Sequence, residues 1–427
     1  MELTSFQRKA DNYIKAHISN GKFNGNLLIM KGDSVLYSRC YGWANRQFKI
    51  SNTDSTRFLI GSITKTFTAL AILLLEKEGL LQLTDSLSTY FPHFPRSEEV
   101  NIQQLLTHRS GIKDYHEFPD WREKGRLIQS PFETLNDVSC DPFLFNPGEH
   151  FSYSNTGYIL LGLIIEQVSG LSFEDYIQQA ILNPLNLKNT GIITNDKWVA
   201  NLASGYSTNP REIHIADYIH YNQPFSSGNM YSSTKDLFYF CKAVMEASLL
   251  DSVKTREIFE VSETYGYGWG IRNYTNTLAY GHHGAMNGFS GSMTYIPEGK
   301  YFICFLTNDD HTPKYSLAND LASLVLGEEI QNPPSTSLIE LTDKMKVVAI
   351  GDYLIKFGDT LHINEKAGRL YMKETGQEEH ELFPYSERNY SMSLLEFQLY
   401  FSNLKEGKAQ SLQFIGKAEM TAERVQL

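Results

Sequence analysis

The sequence predicts an α/β protein: an antiparallel sheet flanked by helices and interrupted by a helical insert, followed by a small C-terminal antiparallel β domain. Three observations carry this. Strand–turn–strand patterns stand near both ends of the first 330 residues, strongly apolar helical patterns fill the stretch between them, and past a Pro/Ser segment the pattern changes to short strands.

The first hairpin pairs Asn26-Leu-Leu-Ile-Met30 with Ser34-Val-Leu-Tyr37 across Lys31-Gly32-Asp33. The second pairs Gly291–Ile296 with Tyr301–Leu306 across Pro297-Glu298-Gly299-Lys300, with Pro and Gly at turn positions. Between them, helical periodicity runs over Thr66–Lys77, Gly157–Val168, Phe173–Leu182 and Lys235–Glu246; Gly79 and Gly170 suit left-handed caps for the first two. A last helix near Tyr315–Leu326 precedes Gln331-Asn-Pro-Pro-Ser-Thr-Ser337, which has linker composition. Strands then follow at Thr360–Ile363, Arg369–Lys373, Glu396–Phe401 and Ser411–Ile415. The expected units are 1–330, a linker at 331–344, and a barrel-like β domain at 345–427.

Bulk composition narrows the function. At 427 residues, 41% hydrophobic, with 25 Tyr and 25 Phe, the chain has ample material for a core. A net charge of −11 and the lack of a basic stripe argue against nucleic acid as a partner. The longest apolar run, Leu70–Leu75, is far short of the roughly 20 residues of a membrane span. The N-terminus, Met1-Glu-Leu-Thr-Ser5, lacks a secretory signal pattern, so the compartment is cytoplasmic, or periplasmic or secreted with the signal removed. Cys40, Cys140, Cys241 and Cys304 are widely spaced, with no metal-ligand pattern, and read as mostly buried thiols with a disulfide left open. Neither a metal nor a cofactor is called for, and oligomeric state is undetermined.

The chemistry sits in three short motifs. S-x-x-K occurs at Ser19, Ser62, Ser110, Ser232 and Ser402, but only Ser62 follows a strand-like stretch, Phe58-Leu-Ile60, and opens a long apolar helix. There Lys65, one turn on, reaches back to the Ser62 hydroxyl, the helix N-terminus faces a developing oxyanion, and burial favours a neutral amine. The competing structural reading is a Ser cap beside a solvated Lys. Tyr153-Ser-Asn155 stands on a loop before the apolar helix that starts near Gly157. A phenol beside an ammonium can shuttle protons, and an amide can bond both a Lys and a substrate carbonyl. Y-x-N also occurs at Tyr274-Thr-Asn276, where an aromatic beside a turn is simple packing. His282-His283-Gly284 is the one H-x-G in the chain and precedes Ala285, whose N–H would be a second oxyanion donor. Adjacent histidines also suggest a metal, but strand neighbours point to opposite faces and no third ligand presents itself.

In order and separation, these motifs resemble the S-x-x-K, Y-x-N and K-T-G set of serine β-lactamases and penicillin-binding proteins, in the branch of class C β-lactamases, D,D-peptidases and family VIII esterases. Leu105-Leu-Thr-His108-Arg-Ser-Gly111, Asn146-Pro-Gly-Glu149, Asn183-Pro-Leu-Asn-Leu187, Thr190-Gly191 and Ser233-Thr-Lys-Asp236 look like further landmarks, so the likeness spans Gly25 to Asn308. It implies the β-lactamase/transpeptidase-like fold, with Ser62 as nucleophile, Lys65 as base, Tyr153 as acid/base facing the leaving group, and Asn155 as orienter of Lys65 and substrate. His282, Gly284 and Ala285 would line the substrate, and the tail looks like the lipocalin-like barrel of some relatives.

Two departures stand out. His282 replaces the Lys of K-T-G, so a substrate carboxylate is expected to be held more weakly by an imidazole titrating near about 6.5. Ser227-Gly228-Asn229 departs from a small-Gly-Gly run. His108 is expected to be structural. The implied activity is hydrolysis of a D-Ala-D-Ala-like peptide or a small ester or amide through an acyl-enzyme; the alternatives are β-lactam hydrolysis and a catalytically weak penicillin-binding or sensor module.

Overall fold

A computed structural model describes residues 4–118, 120–127, 130–333, 338–355, 359–375, 379–392, 398–415 and 420–425. Its central sheet has six antiparallel strands in the order Gly270–Tyr274, Thr277–Met286, Phe289–Ile296, Tyr301–Thr307, Gly25–Lys31 and Ser34–Tyr41. The two expected hairpins are both present, and they join directly: Gly25–Lys31 pairs with Tyr301–Thr307 from Gly25↔Thr307 to Lys31↔Tyr301. The stretch 42–269 is therefore an insertion into one sheet.

Strand alternation divides the core. Leu27, Ile29, Ile303 and Phe305 face the helices Ser5–Ser19 and Lys314–Val325, while Leu28, Met30, Phe302, Cys304 and Leu306 face the helical insert. The helix Ser5–Ser19 was not read from the sequence, although Thr4 and Gln7 form a capping box at its start. The inserted helices Thr64–Lys77, Asn155–Ser169 and Thr234–Met245 stand within two residues of the expected bounds. Gly79 and Gly170 both take positive φ.

One expected helix differs. Phe173–Ile177 is α-helical but Gln178–Leu182 widens into a π turn, closed by Asn183 N–H donating to the Gln178 carbonyl. Pro184 follows, lacks an N–H and cannot continue an α ladder. Among the described residues no single helix is long and apolar enough to cross a membrane. All four cysteines are free thiols, Cys241 and Cys304 buried, Cys40 half-buried and Cys140 exposed.

The tail closes into an eight-stranded antiparallel barrel in sequential order, with the strand Gly351–Ile355 sealing against Met420–Arg424. Its interior is filled by Leu361, Ile363, Leu370, Met372, Leu399, Phe401 and Leu412, and the helix Asp343–Ala349 contributes Met345 and Val348. That helix begins inside the stretch read as linker, of which residues 334–337 lie outside those described. Four barrel strands, Gly351–Ile355, Glu379–Pro384, Asn389–Met392 and Met420–Arg424, were not read from the sequence. Of the expected strand Glu396–Phe401, residues 396–397 lie outside those described, and the remainder belongs to Gln398–Lys405.

Candidate active site

Ser62 sits in a 3₁₀ turn, Gly61–Ile63, that runs straight into the helix Thr64–Lys77. The expectation placed Ser62 in the first α turn; a turn of three residues aligns positions i and i+3 even more directly. Lys65, fully buried, lies with its Nζ 3.2 Å from Ser62 Oγ. The same nitrogen donates to Asn155 Oδ1 at 2.6 Å and to the Ser227 carbonyl at 2.9 Å. Those two oxygens can only accept, so a neutral amine spends both its N–H bonds on them and leaves its lone pair for the Ser62 hydroxyl. Burial lowers the Lys65 pKa to about 7, against the attraction of the Asp114 carboxylate.

The turn is held tightly against the third motif. A Cβ on Gly284 would lie 1.9 Å from the Ile60 carbonyl oxygen, and one on Gly61 would lie 2.8 Å from Ala285 N. Glycine at both positions lets the strand Thr277–Met286 pass directly over Ser62. Its neighbour Gly270–Tyr274 pairs with it only as far as Gly281, so the edge from His282 to Met286 opens onto the nucleophile turn. Gly284 thus supplies space in this structure, and Ala285 is the exposed residue of the edge.

Tyr153 brings its ring under Lys65, with Nζ 4.9 Å from the ring centroid. Its hydroxyl is buried, faces Ser62, and has no hydrogen bond of full geometry among the described groups. Burial holds its pKa well above the usual tyrosine value, with Tyr265 adding to the effect, so the phenol is protonated at rest. His108 packs on this ring at 4.2 Å, and its Nδ1 accepts the Ser154 N–H at 3.1 Å. Burial, reinforced by Lys65, keeps His108 neutral.

Asn155 opens the helix Asn155–Ser169, and its neighbour Ser154 caps that helix through the Gly157 N–H. The Asn155 Nδ2 lies 2.6 Å from Asp114 Oδ2 and 3.1 Å from His116 Nδ1. One amide hydrogen is therefore held by Asp114; the other faces His116 Nδ1, which also lies 3.2 Å from Asp114 Oδ1 and, when it donates there, leaves that amide hydrogen for a substrate carbonyl. Asp114 also accepts the backbone N–H groups of Asn155 and His116, both at 3.0 Å. Burial raises its pKa, but the His116 contacts and these N–H bonds outweigh it and bring the value to about 2.

His282 departs from expectation. Its Nδ1 is 2.6 Å from the His283 carbonyl and its Nε2 is 2.9 Å from the Tyr265 hydroxyl. Burial and the nearby Lys65 lower its pKa to about 3, far below the expected range, so the ring is neutral across the working pH range. His283 points away to Ser292 and the Tyr315 ring, as strand neighbours must. The Ser227-Gly228-Asn229 departure proves to be part of the site, since Ser227 supplies a Lys65 acceptor from the short helix Phe225–Gly228.

Sequence reasoning missed Asp114, His116 and Tyr265. Asp114 carried one local signal, an Asp-x-x-Glu117 capping box, which marks a cap but not its link to Asn155. The landmark Ser233-Thr-Lys-Asp236 acts at a distance from the site: Asp236 takes the Asn189 N–H at 2.7 Å and the Thr190 hydroxyl at 3.0 Å.

A protein-family model described as Beta-lactamase matches residues 10–327. The chain belongs to the β-lactamase family. Penicillin-binding protein 4* of Bacillus subtilis (strain 168) is 29% identical over 423 residues, covering 91% of this chain and 92% of that protein. The structure of an octameric penicillin-binding protein homologue from Pyrococcus abyssi has a TM-score of 0.67 at 26% identity, covering 98% of this chain and 100% of that one. A D-amino acid amidase from Ochrobactrum anthropi SV3, complexed with L-phenylalanine amide, shares the fold at a TM-score of 0.64 and 23% identity, covering 72% and 92%. As a member of the β-lactamase family the chain is a serine hydrolase, with the family fold followed by the C-terminal barrel.

Proposed function

We propose that the chain hydrolyses a D-Ala-D-Ala-like peptide, or a small ester or amide, through an acyl-enzyme on Ser62. One observation carries the reading: the Lys65 Nζ has two obligate acceptors, Asn155 Oδ1 and Ser227 O, and a third neighbour, Ser62 Oγ. Neutral Lys65 takes the Ser62 proton as Oγ bonds to the substrate carbonyl carbon. The backbone N–H groups of Ser62 and Ala285 receive the oxyanion. When the tetrahedral intermediate collapses, the leaving nitrogen or oxygen takes a proton from the Tyr153 hydroxyl, and Lys65 returns its own proton to Tyr153. Water then attacks the acyl carbon with the same groups as base, and Ser62 is regenerated.

The test is incubation with a fluorescent penicillin, a p-nitrophenyl ester and a D-Ala-D-Ala peptide, each followed by intact mass and peptide mapping. A transient adduct on the peptide carrying Ser62, with product release, supports the reading. An adduct on Ser110 or Ser232, or none with any substrate, would overturn it. A stable penicillin adduct with no turnover of the other two would favour the penicillin-binding alternative.

A further inference from the structure

Tyr265 is the least explained residue of the site. It belongs to Tyr265-Gly-Tyr-Gly-Trp269, a tight loop closed by the Gly266 N–H donating to the Trp269 carbonyl at 2.7 Å. Its ring stands among His108, Phe151, Tyr153 and His282, with centroids 4.6, 6.0, 6.2 and 5.7 Å away. Its hydroxyl neighbours that of Tyr158 and lies 2.9 Å from Nε2 of His282, the residue that replaces a lysine in the third motif.

We propose that Tyr265 is a positioning residue that caps the His282 imidazole and thereby turns the site toward substrates whose leaving group carries no carboxylate. The inference rests on the acyl-enzyme reading above and deepens it. The His283 carbonyl can only accept, so His282 Nδ1 carries the ring proton; Nε2 is then a lone pair, and the Tyr265 hydroxyl donates to it. Neither ring nitrogen is left to donate to a substrate. An imidazolium would have to turn its new N–H on the phenol oxygen while close to other positive charge. The charged and titratable groups that act on the ring are Lys65 from the nucleophile helix, Arg272 from the edge strand, and Tyr265, Tyr153 and His108 from the loops around it. Those among them that carry charge, Arg272 and Lys65 when it is protonated, are cations. A carboxylate brought here loses water and meets a capped neutral ring, whereas an ester or amide leaving group brings no charge to desolvate.

The experiment uses the full chain with Tyr265→Phe and two substrates that share an acyl half, a peptide ending in D-Ala-D-Ala and the same peptide with a C-terminal amide. The quantity read is the ratio of kcat/KM for acid over amide, from ~pH 5 to ~pH 8, across the reference imidazole range. In the wild type this ratio should lie below one and stay flat with pH. In Tyr265→Phe it should rise about tenfold toward the acid end, the scale of one hydrogen bond to a charged group, because the uncapped Nε2 can bind a proton and donate it. Adding His282→Gln should erase the gain. A wild-type ratio above one, a ratio unmoved in Tyr265→Phe, or a gain that persists without His282 would each overturn the proposal. General damage to the pocket lowers both substrates together and leaves the ratio unmoved. The acyl-enzyme reading is checked separately by the Ser62 adduct, so an adduct without a change in ratio sinks only the role of Tyr265.

Discussion

The hydrolase site and the C-terminal barrel bury their interiors in opposite ways. Around Ser62 the buried groups include Lys65, His108, Asp114, Asn155 and His282, each held by specific polar partners. In the barrel the buried cluster is Leu, Ile, Met, Phe, Ala, Val and Tyr, with Ser402 and Ser411 as the buried polar exceptions among the described residues. Buried polar groups cost folding free energy unless paired, and their pairing shifts their proton affinities. The first interior is organised for chemistry and the second for stability. Substitutions in the two should therefore separate activity from folding.

The sharpest break should come from the nucleophile. Ser62→Ala removes the hydroxyl that stands 3.2 Å from Lys65 Nζ, so no acyl adduct should form with any substrate, while the melting transition stays that of the parent. Tyr153→Phe should lower kcat by about 10²-fold or more, the usual scale of general acid–base catalysis, with a smaller change in KM. Stopped-flow acylation and steady-state kinetics on both variants measure this; full activity in Tyr153→Phe would move proton transfer to another group.

Asp114→Asn should act on both the geometry and the charge. Its carboxylate fixes the Asn155 amide and raises the Lys65 pKa electrostatically, so the variant should lose about tenfold or more in kcat/KM as Asn155 loosens. The pH profile carries the sign. Lys65 works as a base only when neutral, so wild-type kcat/KM should climb with pH through about 7. Without the Asp114 charge the ammonium is less favoured, and that limb should shift to lower pH. A shift to higher pH would mean that Asp114 does not set the charge state of Lys65.

How much of this was legible follows from chain distance. Ser62 and Lys65 are three apart, and each sheet hairpin is closed by a short turn, so local spacing and periodicity reveal both. Asp114 meets Asn155 across 41 residues and Tyr265 meets His282 across 17, by way of a loop and a strand edge that no periodicity reports. The role of Ser227 is carried by its backbone carbonyl, which every residue has. In the barrel, half or more of the positions in Met420–Arg424 and Glu379–Pro384 are polar or charged, and their strand state comes from ladder closure. His282 misled because an imidazole is legible in sequence while its burial is not.

Phe401→Ala tests the other side of the comparison. The ring is fully buried between Tyr353 and Tyr390, and its removal should cost about 3–5 kcal/mol of barrel stability. Ser62 acylation below the melting temperature should keep its rate. Equal losses in stability and acylation would show that the barrel interior supports the site.

The smallest effect is expected where the two regions touch. The strands Tyr206–Thr208 and Ile213–Ile215 form a hairpin whose Arg211 reaches the barrel, with Nε 3.2 Å from Glu381 Oε1 and the guanidinium 5.8 Å from the Phe383 ring. The base of that hairpin is tied to the hydrolase domain, Ser207 Oγ donating to Asp310 Oδ2 at 2.7 Å. Ser207, His214 and Ile215 line a cavity of about 330 Å³ together with Trp121, whose ring packs 4.4 Å from His116 and so connects the cavity wall to the Asn155 network. Arg211 is about one-third exposed, and pairs of that kind are worth about 0–1 kcal/mol. Arg211→Ala should therefore leave kcat for a small p-nitrophenyl ester unchanged and raise KM for a longer peptide by no more than about fivefold. Glu381→Gln also gives up the Arg369 pair at 3.2 Å, and the double variant should lose no more than Glu381→Gln alone, because the Arg211–Glu381 contact is common to both. Additive losses, or a fall in kcat with the small ester, would show that the barrel reaches the reacting groups by a route other than this hairpin.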